Sequence, residues 1–253
     1  MDAGLSPRTV QYLHSVLHRA LKQALRWGLV PRNVTEAVDP PRVRKEEMRP
    51  LSPAEARKLL EAARADRLEA LYVLAVHCGL RQGELLGLRW KDIDLEAGTL
   101  QVRRTLSDGT FTAPKTARSR RSVKLTAGAV EALKRHSARQ ADEMTRMGER
   151  YEDRGLIFAS EVGTPLNRHN LAHRSFKPLL KRAELPNIRF HHLRHTCATL
   201  LLSKGVHPKF VQELLGHATI AITLDTYSHV LPGMGDQTAT AIEDALSLAK
   251  QLP

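Results

Sequence analysis

The sequence predicts a mainly α-helical fold with one small antiparallel β-sheet, an α+β arrangement, and three observations carry that prediction. Apolar residues recur at i, i+3 and i+4 along most segments, two short stretches alternate instead, and a capping box with proline at the first helical position marks the start of a large domain. At 253 residues the chain exceeds one typical domain of about 150 residues.

Taken in order, residues 7–28 read as a helix, with Ser6 as N-cap and Pro7 at the first position. Val10, Leu13, Leu17, Ala20, Leu21, Ala24 and Leu25 keep its stripe, and Gly28 closes it. From Pro31 to Pro50 four prolines and a basic run at Arg42, Arg44 and Lys45 replace the periodicity, the pattern of an exposed linker. Two domains follow from this, a short helical one over residues 1–45 and a main one over 50–253. Ser52 and Glu55 form the capping box of a helix reaching about Ala65, and a second helix runs from about Arg67 to Cys78. LQVRRTL and RRSVKL alternate as strands around a loop holding Lys115. Residues 126–147 are helical, LIFAS reads as a short strand, and helices follow near 168–184, 191–203, 208–215 and 219–228. A last amphipathic segment spans Thr238 to Lys250.

Composition narrows the function. No apolar run approaches the roughly 18 residues of a membrane span, and the first residues carry no apolar signal core, so a cytoplasmic protein is expected. Cys78 and Cys197 lie far apart inside apolar runs, which excludes a disulfide scaffold or a zinc ribbon. A net charge of +12, with 27 Arg against 12 Lys, suits a nucleic-acid partner, because the guanidinium fork meets phosphate in a bidentate manner.

Polar residues interrupt apolar helices at five places: Arg81 with Glu84, Lys115, His191 with Arg194, His217 and Tyr227. Each alone has an ordinary explanation. Arg81 and Glu84 at i, i+3 fit a surface ion pair, Gly216 before His217 fits a helix C-terminus, and a tyrosine fits packing. Together, GLRQGELLGLRW, PKTARSRRSVKL, HHLRHTCATLL and LLGHATIAITLDTYSHV resemble the catalytic boxes of the tyrosine recombinases, the phage-integrase family of site-specific DNA strand-exchange enzymes, over roughly residues 50–231.

That resemblance implies the integrase catalytic-domain fold and a set of roles. Arg81 and Arg194 would clamp the scissile phosphate with His217 as its third ligand, Tyr227 would be the nucleophile, Lys115 the general acid and His191 the general base. Glu84 would orient Arg81. His191 and His195 at i, i+4 imitate a zinc-protease spacing, but His192 stands where that motif requires Glu, so no metal is expected, and no cofactor. His195 is expected to pack or bond behind the helix. Arg103, Arg104, Arg118, Arg120, Arg121 and Lys124 make a basic hairpin, and Arg168, Arg174, Lys177, Lys181, Arg182 and Arg189 stud the approach to His191; most should meet DNA phosphates. The family further implies double-stranded DNA as partner, integration or excision of a mobile element, and a homotetramer on DNA built through the terminal helix, with a monomer in isolation. Docking of that helix on its own domain is the alternative. Only about 45 residues precede the linker, where the family carries a helical core-binding domain of about 90, so a truncated clamp and weakened site-specific binding are expected. A DNA-binding remnant without cleavage and a histidine metalloprotein are the competing functions.

Overall fold

The computed structural model describes residues 4–43, 48–113, 120–227 and residue 246. The chain divides into two compact units, Met1–Glu47 and Met48–Pro253.

In the first unit α1 (Pro7–Arg26) starts at Ser6, whose hydroxyl accepts from the Thr9 amide at 3.2 Å, with proline in its first turn. No residue of α1 is buried, so its apolar stripe is largely uncovered, and Leu13 and Leu17 remain exposed. Polar bonds fold the following chain back instead. His14 Nε2 donates to the carbonyls of Thr35 (3.2 Å) and Val38 (3.0 Å), and Asn33 Nδ2 donates to the His18 carbonyl. Asn33 also caps a single 3₁₀ turn, Val34–Ala37, inside the stretch whose prolines suggest an exposed linker.

The second unit opens at α2 (Pro53–Ala63) through the expected capping box, Ser52 and Glu55 bonding reciprocally at 3.2 and 2.8 Å. Next, α3 (Glu69–Cys78) is buried at every position but His77 and packs against both α5 (Ala127–Met147) and α8 (His192–Ser203). A helix apolar all round belongs at a centre, and the core closes on this one. Gly79 ends it in the left-handed conformation (φ 59°) and the chain enters α4 (Gln82–Leu86). Strands β1 (Ile93–Asp94), β2 (Thr99–Val102) and β5 (Arg121–Lys124) form an antiparallel sheet in the order β1-β2-β5, with Thr99 opposite Lys124 and Val102 opposite Arg121. Between β2 and β5 lies a hairpin of β3 (Thr105–Ser107) and β4 (Thr110–Thr112). Its two-residue turn, Asp108 and Gly109, has both residues at positive φ, as a tight hairpin requires.

Two expectations are corrected. LIFAS is no strand: Leu156 and Ala159 make isolated bridges to Arg89 and Pro165, because the facing segment leaves at once into a 3₁₀ turn, Trp90–Asp92, and no ladder can extend. The helix near 168–184 is split into α6 (Arg168–Asn170), a π-helical stretch Leu171–Phe176 and α7 (Lys177–Arg182). Pro178 has no N–H for the carbonyl one turn back, so the hydrogen-bond ladder shifts register there. The chain then continues from α8 into α9 (Pro208–Leu215) and α10 (Ile220–Tyr227), packed in succession. Apart from Leu246, the terminal segment from 238 onward lies outside the described residues. Among those described, no helix is long and apolar enough to cross a membrane.

Candidate active site

The site is organised by the C-terminus of α9. Gly216 takes the left-handed conformation (φ 66°), as the sequence implied, and the capping amides close on the carbonyls of Gln212 and Glu213, leaving those of residues 214–216 beyond the helix's own ladder. Three arginines supply the donors, each from a different element: Arg121 Nε to Leu214 O at 2.6 Å, Arg194 Nη2 to Leu215 O at 2.6 Å, and Arg81 Nη2 to Gly216 O at 3.4 Å. Three successive carbonyls therefore gather three guanidiniums, and the negative end of the helix dipole favours the cations.

Arg194, on α8, is 2% exposed, a position in which an isolated charge is very costly. Its second nitrogen, Nη1, donates to Gly79 O at 2.7 Å, so the guanidinium joins the C-terminal ends of α3 and α9. Burial, followed by the nearby Arg81, brings its pKa down to about 9, which leaves it charged at neutral pH. The closeness of the helix ends constrains Gly79 as well. A Cβ there would stand 2.5 Å from Leu215 Cδ2 and 3.2 Å from Cys197 Sγ.

Arg81 caps α4 and is held by Glu84, which accepts from the Arg81 amide at 2.9 Å and from Nη1 at 2.8 Å. Sequence spacing alone suggested a surface pair, but Glu84 is buried. The same carboxylate receives Arg121 in a bidentate pair, Nη1 at 3.2 Å and Nη2 at 2.9 Å. Burial pushes the Glu84 pKa up, and the Arg121 and Arg81 bonds outweigh it, so the group is held below the ordinary carboxylate value and stays ionised. Arg121 had been expected at a phosphate; its side chain is 7% exposed and engaged inside the fold. The strand alternation contained the signal, since Arg121 lies two residues before the buried Val123 and shares its face.

The imidazoles line the other side. His217 Nδ1 bonds Thr223 Oγ1 at 2.9 Å, and burial, then Arg194 and Arg81, lowers its pKa to about 4. His191, at the N-cap of α8, reaches solvent, and loss of water on its inner side, then Arg194, lowers its pKa. His195 packs edge-on against it, ring centroids 4.8 Å apart, and its Nδ1 bonds the Tyr227 hydroxyl at 2.6 Å. Burial and the neighbouring imidazoles press His195 to about 3, and burial raises Tyr227 to about 12, so both are neutral at pH 7. Tyr227 is 2% exposed at the end of α10.

Arg81, His191, Arg194, His217 and Tyr227 are thus borne on α3–α4, α8, α9 and α10, which pack together. Lys115 and Arg118 lie outside the described residues. Among the expected DNA contacts, Arg104 is spent on the buried Asp92, whereas Arg103 (59% exposed), Arg120, Lys124, Arg174, Lys177, Lys181 and Arg189 are at the surface. Arg168 pairs with Asp108 at the hairpin turn at 3.4 Å, and Arg182 with Asp66 at 3.2 Å.

The model of the phage integrase family matches residues 49–233. The chain belongs to the phage integrase family. This integrase is 34% identical to the tyrosine recombinase XerC-like protein of Caldanaerobacter subterraneus subsp. tengcongensis, over 95% of the chain and 67% of that protein. It is 30% identical to the ICEBs1 integrase of Bacillus subtilis, over 97% of the chain and 68% of that one. The chain therefore spans about two thirds of the length of these curated relatives. Among solved structures, DNA-bound lambda integrase superimposes with a TM-score of 0.57 at 26% identity, over 87% of this chain and 74% of that chain. The mainly helical fold with its small antiparallel sheet is that of the tyrosine recombinases.

Proposed function

We propose that this integrase-family chain cuts and rejoins DNA at a specific site through a 3′-phosphotyrosyl intermediate on Tyr227, in the integration or excision of a mobile element. The observation that carries the proposal is the gathering of three guanidiniums on the carbonyls of residues 214–216, beside His191 and His217 and next to a buried tyrosine. The +12 net charge and the DNA-bound lambda integrase support duplex DNA as the partner.

In the proposed reaction Arg81 and Arg194 receive the non-bridging oxygens of the scissile phosphate, where preorganised donors stabilise charge that develops on the way to the transition state. His217 adds a donor through Nε2, its Nδ1 being held by Thr223. Tyr227 Oη forms the new bond to phosphorus, and the bond to the 5′-oxygen breaks. The tyrosine proton passes to His191, whose neutral imidazole is in the form a base needs, and Lys115 protonates the leaving 5′-oxygen. A hydroxyl raised to about 12 needs such a base. The second transfer reverses these steps with another strand's 5′-hydroxyl, so no external energy source is required. In the conformation described, the Tyr227 hydroxyl is bonded to His195, and reaction requires it to exchange that partner for the phosphate. Assembly as a homotetramer on DNA through the C-terminal tail belongs to the same proposal, as does the expectation that residues 1–45 form part of a DNA clamp.

Duplex DNA flanking the gene, nicked so that the small cleaved product diffuses away, tests this. Wild type should give a DNA-shifted band after denaturation in SDS, and Tyr227→Phe should give none while binding DNA equally on a native gel. A band that survives in Tyr227→Phe overturns the assignment of the nucleophile. No band in either protein, with binding intact, overturns strand cleavage for this chain.

A further inference from the structure

Glu84 poses an electrostatic problem. A carboxylate bonded to a phosphate-clamping arginine holds it in place, but it also cancels the charge that the phosphate is meant to meet. The structure contains a second cation placed on that carboxylate. Arg121 meets both Glu84 oxygens, at 3.2 and 2.9 Å, while its Nε is fixed to Leu214 O at 2.6 Å. Its side chain is closed off from solvent at 7% exposure, against 40% for Arg81. Arg81 is the more open of the two.

Resting on the recombinase proposal above, we propose that Arg121 is a positioning residue whose charge offsets Glu84, so that Glu84 orients Arg81 without neutralising it. Arg81, Arg121 and Arg194 against Glu84 leave a net +2 around the phosphate position. Replacing Arg121 by a neutral residue lowers this to +1, and replacing Glu84 by glutamine as well restores +2. Gly216 forms part of the same device. It leaves room for Arg121, since a Cβ there would lie 3.0 Å from Nη1. A DNA contact by Arg121, as the sequence alone suggested, would require this side chain to abandon Glu84 and Leu214 O.

The test is a charge rescue. Arg121→Met should slow adduct formation per DNA complex by roughly ten- to a hundredfold, since one charge in so sheltered a place is strongly felt. Arg121→Met with Glu84→Gln should recover most of that loss, and Arg121→Lys should retain more activity than Arg121→Met. The lost bond to Leu214 O is common to the methionine single and double variants, so the difference between them reports charge and not packing. The affinity of each protein for orthovanadate, read from the rise in melting temperature, should follow the same order and requires no DNA cleavage. If the double variant is no better than Arg121→Met by either readout, the charge role is wrong. If Arg121→Met weakens DNA binding with the adduct rate per complex unchanged, Arg121 is a DNA contact and the proposal fails. An adduct missing in wild type, with vanadate affinities still in the expected order, would count against strand cleavage and not against the role of Arg121.

Discussion

Two carboxylates in this integrase are built alike and placed differently. Glu69 and Glu84 are each about 4% exposed in the side chain, and each is bracketed by two arginines. Glu69, in the first turn of α3, takes Arg135 and Arg139 at 2.6 Å, both from α5. Those arginines are 52% and 34% exposed, so their charge is shared with water, and the cluster acts as a latch between two helices. At Glu84 the arginines come from α4 and β5 and also reach the end of α9, and the innermost is shut off from water. The same trio, one glutamate and two arginines, stabilises one region and concentrates positive charge in the other. What differs is how far the cations are desolvated and whether a helix terminus gathers them.

The strongest way to break this comparison is chemical. Glu84→Ala, which removes both acceptors that hold Arg81, should slow adduct formation per DNA complex by about a hundredfold, because a loosened Arg81 no longer meets the phosphate in register, whereas Glu69→Ala should stay within about twofold. Equal slowing in both would show that the clusters differ only in location. Gel-quantified adduct, normalised to bound DNA, makes the measurement.

Stability sharpens the same contrast. Glu84→Ala removes the buried carboxylate that Arg81 and Arg121 share and should cost about 3–5 kcal/mol in urea denaturation. Glu69→Ala releases two arginines that can turn to water and should cost about 1–2 kcal/mol. A larger loss at Glu69 would mean that solvent does not relieve Arg135 and Arg139.

Sequence alone made the order of elements legible wherever local chemistry is decisive: the proline-led helix starts at Ser6 and Ser52, the glycine end of α9, the pairing of LQV with RSVK. It faltered where tertiary pairing decides. LIFAS has strand composition but faces a segment that turns away, and the β3–β4 hairpin was missed although Asp108-Gly109 between alternating residues is a strong turn signal. At the site, motif order pointed to Arg81, His191, Arg194, His217 and Tyr227, which the fold brings together. The gathering of arginines on the carbonyls of residues 214–216 was not legible, since backbone groups carry no residue signature. Nor was the bond between His195 and Tyr227, which joins residues 32 apart. Arg121 was misplaced because six basic residues in one hairpin look alike until the pleat assigns them faces.

A smaller effect is expected where the two helix ends meet at Arg194. Gly79→Ala puts a side chain at φ 59° and a Cβ against Leu215 Cδ2, and should cost about 1–3 kcal/mol by thermal or urea unfolding. Gly98→Ala, also at φ 59° but with its nearest neighbours 3.9 Å away, bears the conformational cost with little steric one and should lose less. Equal losses would mean that the α3 and α9 ends can part without penalty.

The smallest expected effect concerns His136, a buried titratable residue outside both carboxylate clusters. Its Nε2 donates to Ile157 O at 2.6 Å, and its ring lies among Trp90 and Phe158 with Nδ1 buried and unpartnered. Burial, the leading cause, holds its pKa below the ordinary histidine value, so the folded protein keeps the ring neutral while the unfolded chain takes up a proton near pH 6.5. With the unfolded state binding more protons, stability must fall as pH drops below about 6.5. The carboxylates act in a lower window. Glu69 and Glu84 are held below their ordinary values, and their contribution is present above about pH 4.5 and lost on further acidification. Between pH 7 and pH 6, therefore, wild type should lose about 0.5 kcal/mol more than His136→Gln, in which the amide keeps a donor for Ile157 O and has no proton to gain. Urea midpoints of the two proteins at both pH values provide the comparison. An identical drop in both would mean that water reaches Nδ1 and that His136 titrates in the folded state as it does in the unfolded chain.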